Sequence, residues 1–547
     1  MKKSVCLRVV SLLTAILFVI LTFASCGEDS SVGRTFFYPM EKEPKSLDPQ
    51  ICADTSTAIA VGCMYEGLVK LGENGEILPG VAETMSVSDD GMTYTFTLRS
   101  NAKWHIINKF EYIYGKDCHK NMTLPVTAHD FVFAFQRIFS QNTNSPGADT
   151  LYAIKNSAAV HMGTMIPEHL GVKATDDRTL VITLETPSAD FLTLLTQPIC
   201  APCNEEFFEK TGGKYGLGLN YTMCNGPFYL SIWNSGTNLY LKKNVDYTSA
   251  EEVLPAAVSL YFNSDRSSYA SKVNEGTYDA APIDRQYLSK LGENAVIKEI
   301  SNITWGFAFN CTDESLSDAN LRIALCKAID FDTMGTPEMK RARGFLPSSC
   351  KIGGKNYRDA AGDADFPMKG EVSARQYLQN ALETAEKSAA TVTVICVNEH
   401  ETAIRRVIQQ WQKVFGVEIN ASLKVCTYNE LESALRSGSY QIAFAPYTAS
   451  TTSAVLNLRG FFTESKSNRF GYSSAVYELL VNKIASAATS EQAAQYCKKA
   501  ESTLISDGVF YPIYEDTGYF AFYNNSVDIT ITPSGESINF TKARKLN

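Results

Sequence analysis

The clearest alternation of apolar and polar positions lies just before residue 100. Apolar residues separated by threonines predict a strand with one buried face, and they are Met92, Tyr94, Phe96 and Leu98. The sequence Asp89-Asp90-Gly91 comes directly before them and predicts a tight turn, because Asp bonds to its own backbone and Gly tolerates positive φ.

A helical period follows after residue 126. One face of the predicted helix is apolar and consists of Phe131, Phe135, Ile138 and Phe139. Thr127 with Asp130 has the form of a capping box, with Asp in place of the usual Glu or Gln. We therefore expect an amphipathic helix that starts close to Thr127.

Strands and helices alternate in the second half of the chain. The ranges 391–397, 417–423 and 441–445 have the composition of strands, and helical apolar periods lie between them. This order predicts a parallel sheet with right-handed crossovers, whose ligands bind at the carboxyl ends of the strands. The Gly- and Asp-rich range 353–365 predicts a loop, and the apolar range 302–310 predicts a strand.

The N-terminus has the pattern of a secretion signal. Lys2, Lys3 and Arg8 precede an apolar run that is shorter than the roughly 20 residues of a membrane span. Small residues lead to Cys26, which predicts a lipoprotein signal peptide over 1–25, lipidation of Cys26 and a polar tether over 26–33. An ordinary cleavage site beside an incidental cysteine is the alternative.

The charge of the chain limits the kinds of partner that the sequence predicts, and its cysteine content leaves the disulfide pairing open. Removal of residues 1–25 takes away three cations and no acid, so the formal net charge changes from −9 to −12. An acidic chain without a basic tract argues against nucleic-acid partners. Without Cys6 and Cys26, 12 of the 14 cysteines remain, and the sequence does not give their pairing.

The sequence predicts no catalytic residue, metal site or cofactor. Cys200 and Cys203 have C-x-x-C spacing, but no second pair and no nearby His accompanies them, so we expect a buried or disulfide-bonded pair. The patterns G-x-S-x-G, H-E-x-x-H and the P-loop are absent from the sequence.

Several segments together carry a specific resemblance to a known family. E-P-K-S-L-D-P at 43–49, Y-E-G-L at 65–68, D-G-M-T-Y-T-F-T-L-R at 90–99 and P-V-T-A-H-D-F-V-F at 125–133 occur in this order. They resemble the blocks of the family 5 extracellular solute-binding proteins, the oligopeptide, dipeptide and nickel receptors of ABC importers. One departure is an insertion over 105–124, and surface loops accept such growth at little entropic cost.

The resemblance implies an α/β, two-lobed periplasmic-binding-protein-like fold of type II, in a large variant with an extra subdomain. A hinge of two crossing strands would join the lobes, with the return crossing near 510–514. The implied division places 34–65, 204–302 and 515–547 in lobe I, 66–203 in its extra subdomain, and 303–514 in lobe II.

The resemblance also implies the edge of a binding cleft. The segment after L-D-P corresponds to the place where the family pairs its backbone with an extended ligand, and it contains Cys52, Ala53, Asp54 and Thr55. An ordinary loop is the alternative.

Other candidate ligand contacts come from the second half. Trp305, Phe444 and Tyr447 are aromatic candidates for the cleft, with Ala445 beside them, and core packing is the alternative for each aromatic residue. His400 precedes a Trp at the spacing where oligopeptide-binding members have a His near the ligand's carboxyl end. For His400, an exposed position on a solvated helix is the alternative.

One matching position lacks the expected charge. Where peptide-binding members have an Asp that neutralises the α-ammonium of the ligand, this chain has Pro446. A buried ammonium needs a paired carboxylate, so three alternatives stay open. Another acid such as Asp54 supplies the charge; the peptide is held by backbone bonds or lacks a free amine; or the solute is not a peptide.

We therefore predict a lipid-anchored substrate-binding protein of an ABC importer, which captures a peptide-like solute between two lobes and delivers it to a permease. We expect a monomer on the extracytoplasmic face of the cell membrane, attached only through its lipid, without enzymatic activity. A secreted hydrolase and a solute sensor or adhesion protein on the same scaffold are the alternatives.

Overall fold

Two long antiparallel strands run through the middle of the molecule and connect its two lobes. They are the first crossing strand, Ala295–Phe309, and the second crossing strand, Phe510–Tyr523. Ile300 and Phe520 belong to the apolar core of the first lobe, whereas Trp305 and Phe510 belong to that of the second lobe. The backbone therefore crosses between the lobes twice, and the predicted hinge of two crossing strands is confirmed.

The computed structural model describes residues 33–188, 190–334, 340–367, 370–465, 467–535 and 537–546. The predicted signal peptide, the lipidation site Cys26 and the tether up to residue 32 lie outside the described residues.

The first lobe is built on a four-stranded sheet. In spatial order its strands are Thr35–Met40, Ala257–Phe262, Asn238–Lys243 and Phe228–Asn234. The first pair is parallel and the others are antiparallel. The helices of this lobe outside its subdomain are Thr55–Met64, Glu205–Lys210 and Tyr269–Asn274.

A second four-stranded sheet forms the subdomain of the first lobe. Its strands, in spatial order, are Ala82–Val87, Thr93–Leu98, Thr179–Thr183 and Val172–Ala174, all antiparallel. The helix Ala128–Phe139 packs beside it, and its capping box between Thr127 and Asp130 is present. One continuous apolar core contains Phe36 of the first-lobe sheet and Phe96 of the subdomain sheet, so the two pack as one body.

The second lobe is built on the sheet that contains both crossing strands. Its order is Ala280–Ile283, Phe510–Tyr523, Ala295–Phe309, Ile442–Thr448, Ala390–Val397 and Ile419–Cys426, with Lys340–Arg341 paired to the second crossing strand. The last three strands in this order are parallel neighbours, as predicted. Its helices are Ala319–Lys327, Tyr357–Ala361, Glu371–Thr384, Glu401–Phe415, Tyr428–Ser437, Ala454–Arg459, Ala475–Ala485 and Ser490–Ser506.

Short elements complete the described fold. The short strands are Val69–Leu71, Ile77–Pro79, Lys103–Trp104, Leu124–Pro125, Lys351–Ile352, Lys355–Asn356, Ser526–Val527, Thr530–Ile531, Ile538–Asn539 and Arg544–Lys545. The short helices are Glu111–Tyr114, Cys118–Asn121, Ser157–His161 and Phe191–Leu194. The insertion 105–124 thus contains two single-turn helices.

One range predicted as a loop is partly helical. The helix Tyr357–Ala361 lies inside the Gly- and Asp-rich range 353–365. Its Arg358 donates to both carboxylate oxygens of Glu501, at 2.7 and 2.5 Å, and both side chains are almost completely buried. A contact 143 residues away in sequence holds this turn, so local composition did not reveal it.

The two crossing strands approach closely at Gly306, beside a bulge between Trp305 and Gly306. A Cβ at Gly306 would lie 2.4 Å from the backbone oxygen of Tyr511. We predict that Gly306→Ala lowers the free energy of unfolding by about 1–3 kcal/mol, because the backbone has to move. Urea or thermal unfolding measures this change.

Gly62→Ala is the matched control for this substitution. Gly62 lies inside the helix Thr55–Met64, and a Cβ there meets no atom within 4 Å. Ala in a helix interior should stabilise it by about 0.5–1 kcal/mol. An unchanged or higher melting temperature for Gly306→Ala would contradict the packing argument.

Candidate functional site

A cavity of about 660 Å³ lies between the lobes. One wall comes from the first lobe and includes Cys52, Ala53, Asp54 and Thr55, the four residues predicted at the cleft edge. The second lobe contributes Ser450, Thr451, Leu456 and Ser467. Its volume lies in the range of small-molecule sites, and its position between two bodies is typical of them.

The strand Ile442–Thr448 explains the second wall. Ser450 and Thr451 follow its carboxyl end, where the sequence reasoning placed the ligand. Asn457 holds this turn: its Nδ2–H donates to the backbone oxygen of Thr451 at 2.8 Å, and its Oδ1 accepts from the backbone N–H of Ser450 at 3.2 Å. This wall is therefore fixed against the helix Ala454–Arg459.

Uncharged polar side chains outnumber charged ones in the lining of the cavity. Hydroxyl and amide side chains are contributed by Thr55, Thr150, Thr193, Thr196, Gln197, Ser450, Thr451, Ser467, Thr530, Thr532, Ser537, Asn539 and Thr541. Such groups both donate and accept hydrogen bonds, so they suit peptide units, hydroxyls and other neutral polar groups.

The charged lining residues all belong to the first-lobe wall. They are Asp54, Glu66, Lys70 and Glu73. Glu66 accepts from Lys70 at 2.7 Å and from the hydroxyl of Tyr247 at 2.5 Å, and Glu73 pairs with Lys298 at 3.0 Å. Asp54 has the weakest cationic partner, since Lys42 Nζ lies 3.6 Å away and is itself 61% exposed.

The carboxylate of Asp54 is held in place by the helix that it caps. One of its oxygens accepts from the backbone N–H of Thr57 at 3.1 Å and the other accepts from the Thr57 hydroxyl at 3.0 Å. The side chain is still 29% exposed. This arrangement is an N-cap for Thr55–Met64, and it leaves part of the carboxylate accessible.

A buried ion pair anchors the segment that leads to Asp54. Arg137, on the helix Ala128–Phe139, donates to both oxygens of Asp48 at 3.1 and 2.5 Å and to Gln50 Oε1 at 2.6 Å. The amide of Gln50 donates to the backbone oxygen of Ala201 at 2.9 Å. The cleft edge is thus fixed to the subdomain core.

The other predicted contacts form a separate aromatic cluster. Trp305 packs against His400 with ring centroids 4.5 Å apart and stacks on Phe444 at 5.6 Å. All three side chains are buried, and none of them lines the cavity. Their role as ligand contacts stays a prediction, while their observed contacts are those of a core next to the crossing strands.

Polar groups complete this cluster at the hinge. The indole N–H of Trp305 donates to Asp516 at 3.1 Å, and Asp516 also pairs with Arg285 of the first lobe. Burial lowers the pKa of His400, whose Nε2 lies 3.3 Å from the hydroxyl of Tyr514. The polar atoms of Trp305 and His400 therefore have partners within the protein, and these partners hold the cluster in place.

Ala445 and Tyr447 also lie outside the cavity lining. Ala445 is buried in the second-lobe core. The half-buried Tyr447 packs on Phe345 with centroids 4.0 Å apart and donates its hydroxyl to Asn457 at 3.0 Å. Tyr447 therefore supports the Ser450–Thr451 wall through Asn457.

The cysteine pair has no feature of a reactive site. Cys200 and Cys203 are both buried, and burial raises the pKa of both thiols, that of Cys203 to about 12. A reactive thiol needs the opposite shift. Within the part of the chain that the structure describes, no group of three or more His, Cys, Asp or Glu residues could hold a metal, and neither Cys200 nor Cys203 forms a disulfide bond.

A helix needs about 20 mostly apolar residues to span a membrane. None of the helices in the described ranges is both long and apolar enough to cross one.

Comparison with known proteins decides the family. The model of bacterial extracellular solute-binding proteins, family 5, middle region, matches residues 76–469, which is more than half of the chain. The chain belongs to this family. Family 5 solute-binding proteins are non-enzymatic binding components of transporters, so the hydrolase alternative is excluded.

Relatives support this family 5 assignment along most of the chain. The dipeptide-binding protein DppE of Bacillus subtilis is 28% identical over 502 residues, which cover 90% of this chain and 87% of DppE. The probable deoxycholate-binding periplasmic protein YgiS of Escherichia coli is 25% identical over 514 residues, 88% of each chain.

Solved structures show the same architecture. The substrate-binding domain of an oligopeptide ABC transporter from Bacillus anthracis aligns with a TM-score of 0.70 at 23% identity, over 94% of this chain and all of that one. The predicted two-lobed, type II fold is confirmed for this family 5 protein.

Several lining residues of this family 5 protein are not predictable from the sequence. Gln197 and Thr150 come from the subdomain, and Thr530 and Thr532 come from the segment after the second crossing strand. No local pattern marks them, because only the path of the chain brings them to the cavity. Ser450 and Thr451 could have been predicted as lining residues, because they directly follow a predicted parallel strand.

The Asp48–Arg137 pair predicts a measurable stability effect. Arg137→Met leaves the Asp48 carboxylate buried without its cation, and this should lower the free energy of unfolding by about 3–5 kcal/mol. Lys210→Met, which breaks the exposed pair with Glu206, is the control and should cost at most about 0.5 kcal/mol. Equal melting temperatures for the two variants would refute the proposed anchor.

Proposed function

We propose that this family 5 protein is the solute receptor of an ABC importer, captures a peptide-like solute between its lobes and delivers it to the permease. The observation that carries the proposal is the interlobe cavity of about 660 Å³, to which both lobes contribute walls. The names of relatives such as the dipeptide-binding protein DppE support a peptide ligand. The protein acts as a monomer on the extracytoplasmic face of the cell membrane.

Capture by closure follows from the two crossing strands. All members of the second apolar core lie between Trp305 and Tyr514, which supports the proposed boundaries of lobe II at 303 and 514. Each lobe moves as a body with its own core, so bending at the crossing strands opens and closes the cavity. A sensor or adhesion protein on this scaffold would close in the same way without a permease.

Asp54 is our proposed anchor for the amino end of the ligand. The second-lobe residues that line the cavity carry no charge, and Pro446 stands where a carboxylate is expected from the family resemblance. Among the cavity acids, Asp54 is held by its helix cap, and its cationic partner in the described ranges is the exposed Lys42, 3.6 Å away. An α-ammonium at Asp54 would form a charge-assisted hydrogen bond there.

A non-peptide solute is the second candidate. The relative YgiS is named for probable binding of deoxycholate, and the hydroxyl-rich lining of this cavity suits neutral polar groups as well as peptide units. A solute without an amine would leave Asp54 with its capping role alone.

Native mass spectrometry of the purified protein tests the function and identifies the ligand. We expect peptides to be retained and then released on unfolding. Calorimetry with a recovered peptide should show that Asp54→Asn weakens binding roughly tenfold, because one charged hydrogen bond is lost. The N-acetylated form of the same peptide should bind equally to both proteins.

Glu73→Gln is the matched control, since it neutralises another cavity acid that already has a cation partner. It should change affinity by less than about twofold. Recovery of a steroid or another non-peptide solute would overturn the peptide assignment. Equal effects of Asp54→Asn on free and acetylated peptide would overturn the role of Asp54.

The proposed lipid on Cys26 keeps the receptor beside its permease at a high effective concentration. In cell fractionation the full-length chain should be found with the membranes, and Cys26→Ser should appear in the soluble extracytoplasmic or secreted fraction. Cys6→Ser, inside the signal, should behave like the unchanged chain. A membrane-bound Cys26→Ser protein would rule out the anchor.

A further inference from the structure

A buried carboxylate connects the two lobes beside the cavity. Asp190 belongs to the subdomain of the first lobe and is 5% exposed. One oxygen accepts from the hydroxyl of Ser453 at 2.8 Å, and the other accepts from the backbone N–H of Gly353 at 3.3 Å. Both donors belong to the second lobe, and Ser453 is completely buried.

The neighbours of this contact line the cavity. Thr193, on the helix Phe191–Leu194 that directly follows Asp190, donates to the Asp190 carboxylate and also lines the cavity. The Ser453 hydroxyl accepts from the backbone N–H of Leu456 at 3.3 Å, and Leu456 is another lining residue. Separation of Asp190 from Ser453 therefore requires the two walls of the cavity to move apart.

No cation acts on Asp190 among the described residues. The nearby titratable group on the helix Ser490–Ser506 is the thiol of Cys497, whose pKa is raised by burial and then by the charge of Asp190. The nearby cations have other partners: Arg459 pairs with Asp149 at 3.0 Å, Arg358 pairs with Glu501 at 2.5 Å, and the charge of Glu76 acts on Lys351. The ionised carboxylate is stabilised here only by neutral donors.

We propose that Asp190, Ser453 and Gly353 form a protonation-dependent latch that favours the closed arrangement of the lobes as the pH falls. This inference rests on the proposed capture by lobe closure. A neutral carboxylic acid loses less hydration than a carboxylate when it enters a dry interface. Closure is therefore accompanied by the binding of a proton at any pH at which Asp190 is ionised in the open protein and protonated in the closed protein.

The direction of the effect follows from the pKa in the closed arrangement. Burial raises the pKa of Asp190 from an ordinary 3.8 to about 6, although hydrogen bonds from Ser453, Thr193 and Gly353 act against the rise. In the open arrangement water reaches the carboxylate, so its pKa returns toward the ordinary value. Between these two values the closed state holds a proton that the open state lacks.

This linkage sets the size of the response. From pH 7 to pH 5 the ratio of closed to open molecules should increase about tenfold. Above pH 7 the ratio should level off, because Asp190 is then ionised in both arrangements. A solute would accordingly be held more tightly in an acidic environment than in a neutral one.

Small-angle X-ray scattering of the ligand-free protein tests the latch at pH 7.5, 6.0 and 5.0. The radius of gyration of the unchanged protein should decrease as the pH falls through 6. Asp190→Asn carries the neutral amide in place of the acid and should be compact at all three pH values. Ser453→Ala removes one donor and should be more open at pH 7.5, with recovery at pH 5.0.

Asp149→Asn is the matched control, because Asp149 forms an ion pair with Arg459 across the two lobes and is itself half-exposed. It should lower the ratio of closed to open molecules at every pH and leave the dependence of that ratio on pH unchanged. A pH response in Asp190→Asn equal to that of the unchanged protein, or no response in the unchanged protein, would overturn the latch.

Failure of the latch and failure of the proposed function are distinguishable. The scattering experiment contains no solute, so a pH response abolished by Asp190→Asn supports the latch whatever the ligand is. Retention of peptides by a protein without this response would keep the proposed function and remove the latch.

Discussion

The antiparallel pairing of the two crossing strands is the contact on which the rest of this structure depends. Their ladder extends from Ala295 opposite Tyr523 to Ala308 opposite Phe510, so it enters the apolar cores of both lobes. In the proposed closure, two paired strands would limit the relative motion of the lobes to bending, whereas a single strand would also allow twisting. The register is irregular after Ile300 and at Trp305, between the residues of the two cores, and the proposed closure would bend the strands there.

Side chains at this bending point fix the strands to both lobes. Asp516 on the second crossing strand bonds to Trp305 and to Arg285, and the adjacent Glu515 accepts from Lys340 and Ser348, both at 2.8 Å. Neighbouring residues in a strand point to opposite faces, so the two acids fasten opposite faces of the sheet. In the proposed closure, attachment on both faces would carry the motion of a lobe to the walls of the cavity.

The cavity itself combines a charged wall and a neutral wall. Fixed acids on the first-lobe side are positioned by helix capping and by the Asp48–Arg137 pair, whereas the opposite wall presents hydroxyls from Ser450 and Thr451. Recognition through hydroxyl and backbone groups does not depend on the side chains of a solute. This division suits a receptor that tolerates variation in its ligand but orients one end of it.

The sequence by itself determined the local elements and the family. Period-two alternation predicted the strand Thr93–Leu98, and the Thr127–Asp130 pair predicted the start of the helix Ala128–Phe139. Both signals are local, because the residues that form a buried face or a helix cap are close together in the sequence. Motif order gave the two-lobed fold. Periodicity did not separate the aromatic core around Trp305 from a cleft lining, since both demand apolar side chains on one face of a strand.

Tertiary structure alone decided which side chains meet at the cavity. Asp190 and Ser453 are 263 residues apart, and Thr530 reaches the cavity only because the second crossing strand returns the chain to the first lobe. A contact between residues far apart in sequence produces no hydrophobic periodicity in either segment, because the pattern of each segment reflects only the packing within its own lobe. The two crossings bring those lobes together, and only then does a buried carboxylate lie opposite its donors.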